Sequence, residues 1–147
     1  MSTVETVTFA IAVLGAVLGL VNTWHNIDKT RVKLRVRPKR AIPLGNVDPR
    51  LTFCIEVTNL SSFAVTVSDV GVIYYGTKSR GSIIQPVLLD GGAWPRRLEP
   101  RSSVTVYGQK PASYSTDDKI RCAYATTDCG VTRRGNSPAL KQIAKSG

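Results

Sequence analysis

A chain of 147 residues has room for one globular domain, here about 115 residues beyond an apolar N-terminal segment. Its 20 lysines and arginines exceed its 10 aspartates and glutamates, and the net charge of +10 favours an anionic partner, nucleic acid or phospholipid. Cys54, Cys122 and Cys129 have neither CxxC nor zinc-site spacing, and His25 is the only histidine. We therefore expect no metal and no cofactor.

The segment from Thr6 to Ile27 contains 22 residues without a single Asp, Glu, Lys or Arg. As an α-helix it would extend about 33 Å, close to the ~30 Å hydrocarbon thickness of a bilayer. Apolar residues cover every face, and a chain of this size cannot bury such a helix in its own core. Met1 to Glu5 lacks a positive n-region, and no small-x-small cleavage site follows. We predict a retained single-pass anchor at 1–28; the alternative is a helix buried in a large protein assembly.

Gly15 and Gly19 form a GxxxG pair within this segment. Small residues one turn apart allow two helix backbones to approach closely in lipid. The pair predicts a helix-association site and a homo-oligomer, although glycine is also common in spanning helices for other reasons.

Seven of the 20 basic residues fall between Asp28 and Arg40, whereas Glu5 flanks the other end of the apolar segment. Basic residues beside a spanning helix stay in the cytoplasm. The N-terminus is therefore predicted outside and the globular part on the cytoplasmic side.

The stretch from Arg31 to Arg37 alternates basic and apolar residues, which predicts a β-strand directly after the helix. Val32, Leu34 and Val36 would face a core. The cations of the opposite face would lie near anionic headgroups or, alternatively, act only as a topology signal. This predicted lipid-headgroup face consists of Arg31, Lys33, Arg35 and Arg37.

Alternating patterns bounded by Gly, Pro, Asn and Ser predict further short strands along the rest of the chain. A parity slip near Ser68–Asp69 indicates a bulge or a break into two strands, Pro86 indicates an edge strand, and 76–79 reads as a hairpin turn. We predict an all-β, immunoglobulin- or fibronectin-like antiparallel β-sandwich at 29–136, then a short helix capped by Ser137 in a tail at 137–147. The strand segments are 51–57, 63–74, 82–89, 102–107, 120–124 and 131–133.

Cytoplasmic exposure predicts free thiols. Cys54 and Cys122 nevertheless fall in mid-strand segments 68 positions apart. The alternative is therefore an immunoglobulin-type bridge between them, which would require the opposite topology.

The long connection at 90–101 places several arginines beside a tryptophan, and we predict that it docks a protein partner. Cations next to an aromatic ring can also hold a nucleic-acid backbone and stack a base. A Trp-Pro pair more often packs a loop onto a sandwich edge. Of the two binding alternatives, nucleic acid is less favoured than a protein. The docking residues are Trp94, Arg96, Arg97 and Arg101.

The sequence contains no set of residues suited to catalysis. His25 lies at the predicted lipid interface, no phosphate-binding glycine motif is present, and Asp117–Asp118 reads as solvated loop charge. We predict no catalytic and no cofactor-binding residues.

Three segments, 19–24 (GLVNTW), 56–61 (EVTNLS) and 98–103 (LEPRSS), resemble small bacterial membrane proteins with one N-terminal helix and a β-sandwich. The resemblance implies this order of parts in a bacterial inner membrane and transfers no functional residues. The predicted function is a membrane-tethered, non-enzymatic adaptor, or a subunit of a membrane complex, that contacts lipid and an unidentified protein. The alternative is a structural component of a larger particle, such as a phage or secretion assembly.

Overall fold

The computed structural model describes residues 2–76, 79–110 and 119–145. Contacts divide the chain into two compact units, Met1–Arg31 and Val32–Gly147. The first unit is helical and the second is mostly β, and each is treated in turn.

A single helix, α1 (Thr3–Thr30, 28 residues), makes up the first unit. It begins three residues before the predicted segment because Ser2 and Glu5 form a capping box, in which each side chain accepts a hydrogen bond from the other's backbone N–H. The hydroxyls of Thr8 and Thr23 donate to carbonyls one turn earlier, so neither is unpaired on the apolar surface. None of its side chains is buried, and the helix is long and apolar enough to cross a membrane.

The described part of the second unit contains eight strands, all paired antiparallel, and one short helix. One sheet has the order β1-β2-β6; the other has the order β4-β3-β7-β8, with β5 also paired to β3. The elements are β1 (Leu34–Arg40), β2 (Phe53–Asn59), β3 (Val65–Tyr74), β4 (Arg80–Ser82), β5 (Arg96–Leu98), β6 (Ser103–Gly108), β7 (Ile120–Thr127), β8 (Thr132–Gly135) and α2 (Pro138–Lys145).

The two sheets share one hydrophobic core. Alternate residues of β2 and β6, such as Ile55 and Val106, meet Val67 of β3 and Ala123 of β7 there, as the two-residue period of strands requires. Leu140 and Ile143 of α2 join the same core. The short helix is therefore part of the β unit and not the separate tail predicted at 137–147. Its predicted cap is present, because Ser137 Oγ accepts a hydrogen bond from Leu140 N at 3.1 Å.

The structure agrees with one predicted strand feature and differs from another. A register shift between Val67 and Asp69 confirms the predicted bulge. Of the predicted edge strand at 82–89, only Ser82, the last residue of β4, is in a strand. One isolated bridge follows, in which Val87 and Tyr107 exchange backbone hydrogen bonds of 3.2 and 3.0 Å. Pro86 accounts for this, because it has no N–H to donate to a ladder. Part of the predicted turn at 76–79 lies outside the described residues.

The alternative of a Cys54–Cys122 bridge is wrong, since all three cysteines are free thiols. Phe53 and Ile55 face the core, so Cys54 between them lies on the outer face of its sheet. Cys122 packs in a separate cluster with Ile73 and Tyr124, on the outer face of the other sheet. Two thiols on opposite outer faces cannot meet across the core.

A buried asparagine ties together the end of the β unit where the chain enters it. Asn59 is 0% exposed, and its Nδ2 donates to the carbonyls of Phe63 (2.8 Å) and Leu98 (3.0 Å). Its Oδ1 accepts from the N–H of Ser61 at 2.9 Å, and Ser61 Oγ accepts from the N–H of Lys33 at 2.8 Å. One amide thus joins the start of the unit to β2 and β5.

Candidate functional site

The four cations predicted to share one lipid-facing strand face do not do so. Arg31 is the C-cap of α1, because helical hydrogen bonding continues to Thr30 and extended backbone begins only at Arg31 (ψ 136°). Lys33 precedes β1, which starts at Leu34 instead of Arg31. Only Arg35 and Arg37 lie within the strand, where both are exposed. The strand is therefore shorter than predicted, and the lipid contact of these residues stays a prediction.

Lys39 is a third exposed cation on this outer face of β1. Its Nζ lies 2.7 Å from Glu56 Oε2 on the neighbouring β2, so its charge is largely compensated. Pro38 interrupts no ladder here, because β1 is the edge strand of its sheet.

β8, the edge strand of the other sheet, lies beside β1. A Cβ added to Gly135 would come within 1.8 Å of the Val36 carbonyl oxygen, so the two backbones touch there. Arg133 Nη2 donates to the carbonyl of Val32 at 3.2 Å. The fold therefore places four exposed arginines on two adjacent, sequence-distant strands, in what we call the basic edge: Arg35, Arg37, Arg133 and Arg134.

The predicted docking connection at 90–101 is more ordered than its composition suggested, because Arg96–Leu98 forms β5 against β3. Arg96 Nη2 lies 2.5 Å from Asp90 Oδ2, and Asp90 Oδ1 accepts from the N–H of Gly92 at 3.0 Å. The Arg96 guanidinium is thus paired and stabilises the loop. A Cβ on Gly92 would require the Arg96 guanidinium to move.

The other predicted docking residues make separate contacts, and their docking role stays a prediction. Trp94 is half-buried and packs against the core. Arg97 pairs with Glu99 at 3.0 Å. Arg101 stands in a turn with φ of 64°. Trp94 therefore packs the loop onto the sandwich, as the alternative reading expected. Arg97 and Arg101 are the two exposed arginines of the predicted docking set.

A groove of about 950 Å³ lies at the end of the β unit opposite Val32. β1 leads away from Val32 to Arg40, which pairs with Phe53, and Phe53 in turn pairs with Gly108. Phe53 and Gly108 both line the groove. We call it the distal groove.

Aliphatic side chains surround the distal groove. Val47, Ile84 and Val87 line it, and Ile84 is 88% exposed, the highest value among the large apolar side chains described. Asp48 and Arg50 on the same wall form an ion pair of 3.0 Å, and the Arg50 hydrogen bond lowers the pKa of Asp48. The wall therefore offers apolar contact with little net charge.

A polar cluster lies on the outer face of the second sheet. Asp69 accepts hydrogen bonds from Tyr124 Oη at 2.8 Å and from Ser82 Oγ, and the Arg80 guanidinium stacks 5.3 Å from the Tyr124 ring centre. Burial, and then the bond to Asp69, raise the pKa of Tyr124 to about 12. The phenol is thus neutral at ordinary pH.

The described residues contain no group of three or more His, Cys, Asp or Glu side chains that could hold a metal ion. Asp117–Asp118, which the sequence suggested as solvated loop charge, lies outside the described part of the chain.

The cysteines differ in chemical character. Cys129 is exposed in the turn before β8, and its contact with Thr127 Oγ1 (3.0 Å) lowers its pKa. Burial raises the pKa of Cys54. Cys129 is therefore the thiol suited to react with reagents in solution.

Gly15 and Gly19 are placed on the exposed surface of α1, with no atom within 4 Å of a Cβ added at either position. Helix association through this pair stays a prediction.

Two features of the site were missed by reasoning from sequence. The distal groove depends on loops that carry no periodic pattern. The adjacency of β1 and β8 had one signal, because an isolated glycine at a strand end, here Gly135, often marks a close backbone approach.

No protein-family model matches this chain, and no curated protein matches it. The apolar helix, the basic edge and the distal groove therefore carry the functional argument.

Proposed function

We propose that the chain is a membrane-tethered, non-enzymatic adaptor, or a subunit of a membrane protein complex, whose β unit binds another protein. The observation that carries this proposal is α1, a 28-residue helix that is long and apolar enough to cross a membrane and has no buried side chain. An apolar surface of this kind requires lipid or protein around it.

We propose further that the β unit is an immunoglobulin- or fibronectin-like sandwich. Two antiparallel sheets of three and five strands around one core support this assignment. The outward cysteines favour members of this architecture that lack a disulfide between the sheets.

The proposed location is the cytoplasmic side of a bacterial inner membrane. The cations that follow α1 support this orientation. Three free thiols are also in keeping with a reducing compartment.

The proposed partner contact is the distal groove, occupied by an extended apolar segment of another protein. Val47, Ile84 and Val87 would receive its aliphatic side chains. Asn46, Gln85 and Gln109 on the same walls carry amides that can both donate to and accept from a peptide backbone. The groove lies at the end of the strands opposite Val32, where the chain enters the β unit.

Membrane extraction tests the tether. The full chain should sediment with membranes, resist high salt and be released as a small species only by detergent. Solubility without detergent, together with sedimentation as a large assembly, would instead support a structural component of a particle.

Cys129 tests the orientation, because it is exposed. A membrane-impermeant thiol reagent should leave it unmodified in intact cells and modify it after the membrane is opened. Labelling in intact cells would reverse the proposed topology.

The groove contact is tested with a photoreactive residue at position 84. It should crosslink one defined partner in native membranes, and Ile84→Asp should abolish recovery of that partner. Ile42→Asp is the matched control, since Ile42 is exposed but does not line the groove. Equal loss in both variants would reject the groove as the contact.

A further inference from the structure

The cations of the β unit are of two kinds, those that pair with a carboxylate and those that do not. Elsewhere Arg50, Arg96 and Arg97 each pair with a carboxylate. Among the described residues, no ion pair is made by the four arginines of the basic edge, and the nearest carboxylate on the adjoining strand, Glu56, binds Lys39. The charges of all four arginines are thus uncompensated by a carboxylate among the described residues, although one nitrogen of Arg133 is used by the Val32 carbonyl.

The backbone holds these groups in place. The contact of Gly135 with Val36 joins the two edge strands, with Arg35 and Arg37 on one side of it and Arg134 on the other. Two residues after Gly135, Ser137 Oγ donates to the Pro38 carbonyl at 2.6 Å. Cations presented by paired strands lose less freedom on binding than cations on a loop.

The basic edge also begins where the chain leaves the apolar helix. Arg133 donates to the carbonyl of Val32, two residues after the end of α1. Arg35 is five residues beyond Thr30, and five residues of extended chain span about 18 Å at most. With α1 in a bilayer, the edge can therefore reach the headgroup layer, where exposed charges act over about 8 Å at physiological ionic strength.

We propose that the basic edge binds the phosphates of anionic phospholipids in the leaflet that α1 enters. This inference rests on the proposed membrane tether. Guanidinium groups bind phosphate oxygens bidentately, which suits arginine to this role. Nucleic acid is the less favoured anion, because neither β1 nor β8 contains an aromatic residue on which a base could stack. The edge thereby fixes which side of the β unit faces the bilayer and leaves the distal groove free.

The experiment uses the full chain in vesicles, with a dye on Cys129, the exposed thiol four residues before Arg133. Vesicles contain phosphatidylcholine alone or mixed with phosphatidylglycerol, plus a lipid whose headgroup carries a quencher. Quenching should be stronger with phosphatidylglycerol and should decline as salt is raised. Changing all four arginines of the basic edge to Gln should lower the ratio of bound to free β unit at least about tenfold.

The matched control also removes four cations, through Arg50→Gln, Arg97→Gln, Arg101→Gln and Lys119→Gln, and should retain quenching that depends on phosphatidylglycerol. Equal quenching in both lipids, or equal loss in both variants, would overturn the proposal. Salt-dependent binding of a DNA oligonucleotide that phosphatidylglycerol does not compete away would assign the edge to nucleic acid. Failure of the chain to enter vesicles would instead refute the tether, so the two failures are distinguishable.

Discussion

The Cα of Gly135 lies so close to Val36 that an added Cβ would come within 1.8 Å of the Val36 carbonyl oxygen. This contact joins the edge strands of the two sheets, and the residues beside it form the basic edge. Because the obstacle is backbone, a side chain at position 135 cannot be accommodated by a change of rotamer.

Gly135→Ala should therefore destabilise the β unit by about 2 kcal/mol, within the usual range for overpacking. Thermal unfolding of the full chain in mild detergent measures this. Gly108→Ala is the control, since its Cβ would meet only the flexible Ile83 side chain at 3.3 Å. A Gly135→Ala variant as stable as the control would show that the two edges separate easily.

Asn59→Ala should cost more, about 3 kcal/mol or above, because it leaves several buried backbone groups without a partner. The carbonyls of Phe63 and Leu98 would lose their donor, and the N–H of Ser61 its acceptor. Asn46→Ala, at an exposed position, should be nearly neutral. Hydrogen exchange should show the loss of protection first at Ser61. A small effect would mean that water replaces the amide.

Strand periodicity predicted most of the β unit because one face of each strand is buried. Leu34, Val36 and Pro38 alternate with exposed cations, and the bulge at Ser68–Asp69 showed directly as a parity slip. The helix boundary was displaced because the Asp28–Lys29–Thr30 segment has no breaking residue and continues α1. Local pattern therefore located the elements better than their ends.

The candidate site was less predictable, because it depends on contacts between distant parts of the chain. Arg133 meets Val32 across 101 residues, and no local pattern encodes that pairing. Trp94 beside arginines suggested docking, yet its side chain is partly buried and packs against the core. Composition identified the charged residues but not which of them lie together.

Tyr124 makes the stability of the β unit depend on alkaline pH. Its pKa is about 12 in the folded chain against 10 when free, so unfolding favours loss of the phenolic proton. Stability should be constant below pH 10 and decline by roughly 2 kcal/mol as pH rises towards 12. Tyr124→Phe removes the hydrogen bond to Asp69 and should lower the free energy of unfolding by about 1 kcal/mol at neutral pH. The stability of this variant should then decline less than that of the unchanged protein as pH rises from 10 to about 12. An identical alkaline decline in both proteins would assign it to other groups.

Cys129 should be the first cysteine to react with a thiol reagent. It is exposed and has a lowered pKa through Thr127, whereas Cys54 and Cys122 are buried, and burial raises the pKa of Cys54. Because only the thiolate attacks, the alkylation rate of Cys129 should reach its midpoint below the ordinary cysteine pKa. Thr127→Val should move that midpoint upward, whereas Thr127→Ser, which keeps the hydroxyl, should not. Mass spectrometry of the labelled peptides follows each site, and denaturant should expose the two buried thiols. Equal midpoints in the Val and Ser variants would show that the Thr127 hydroxyl does not control this thiol.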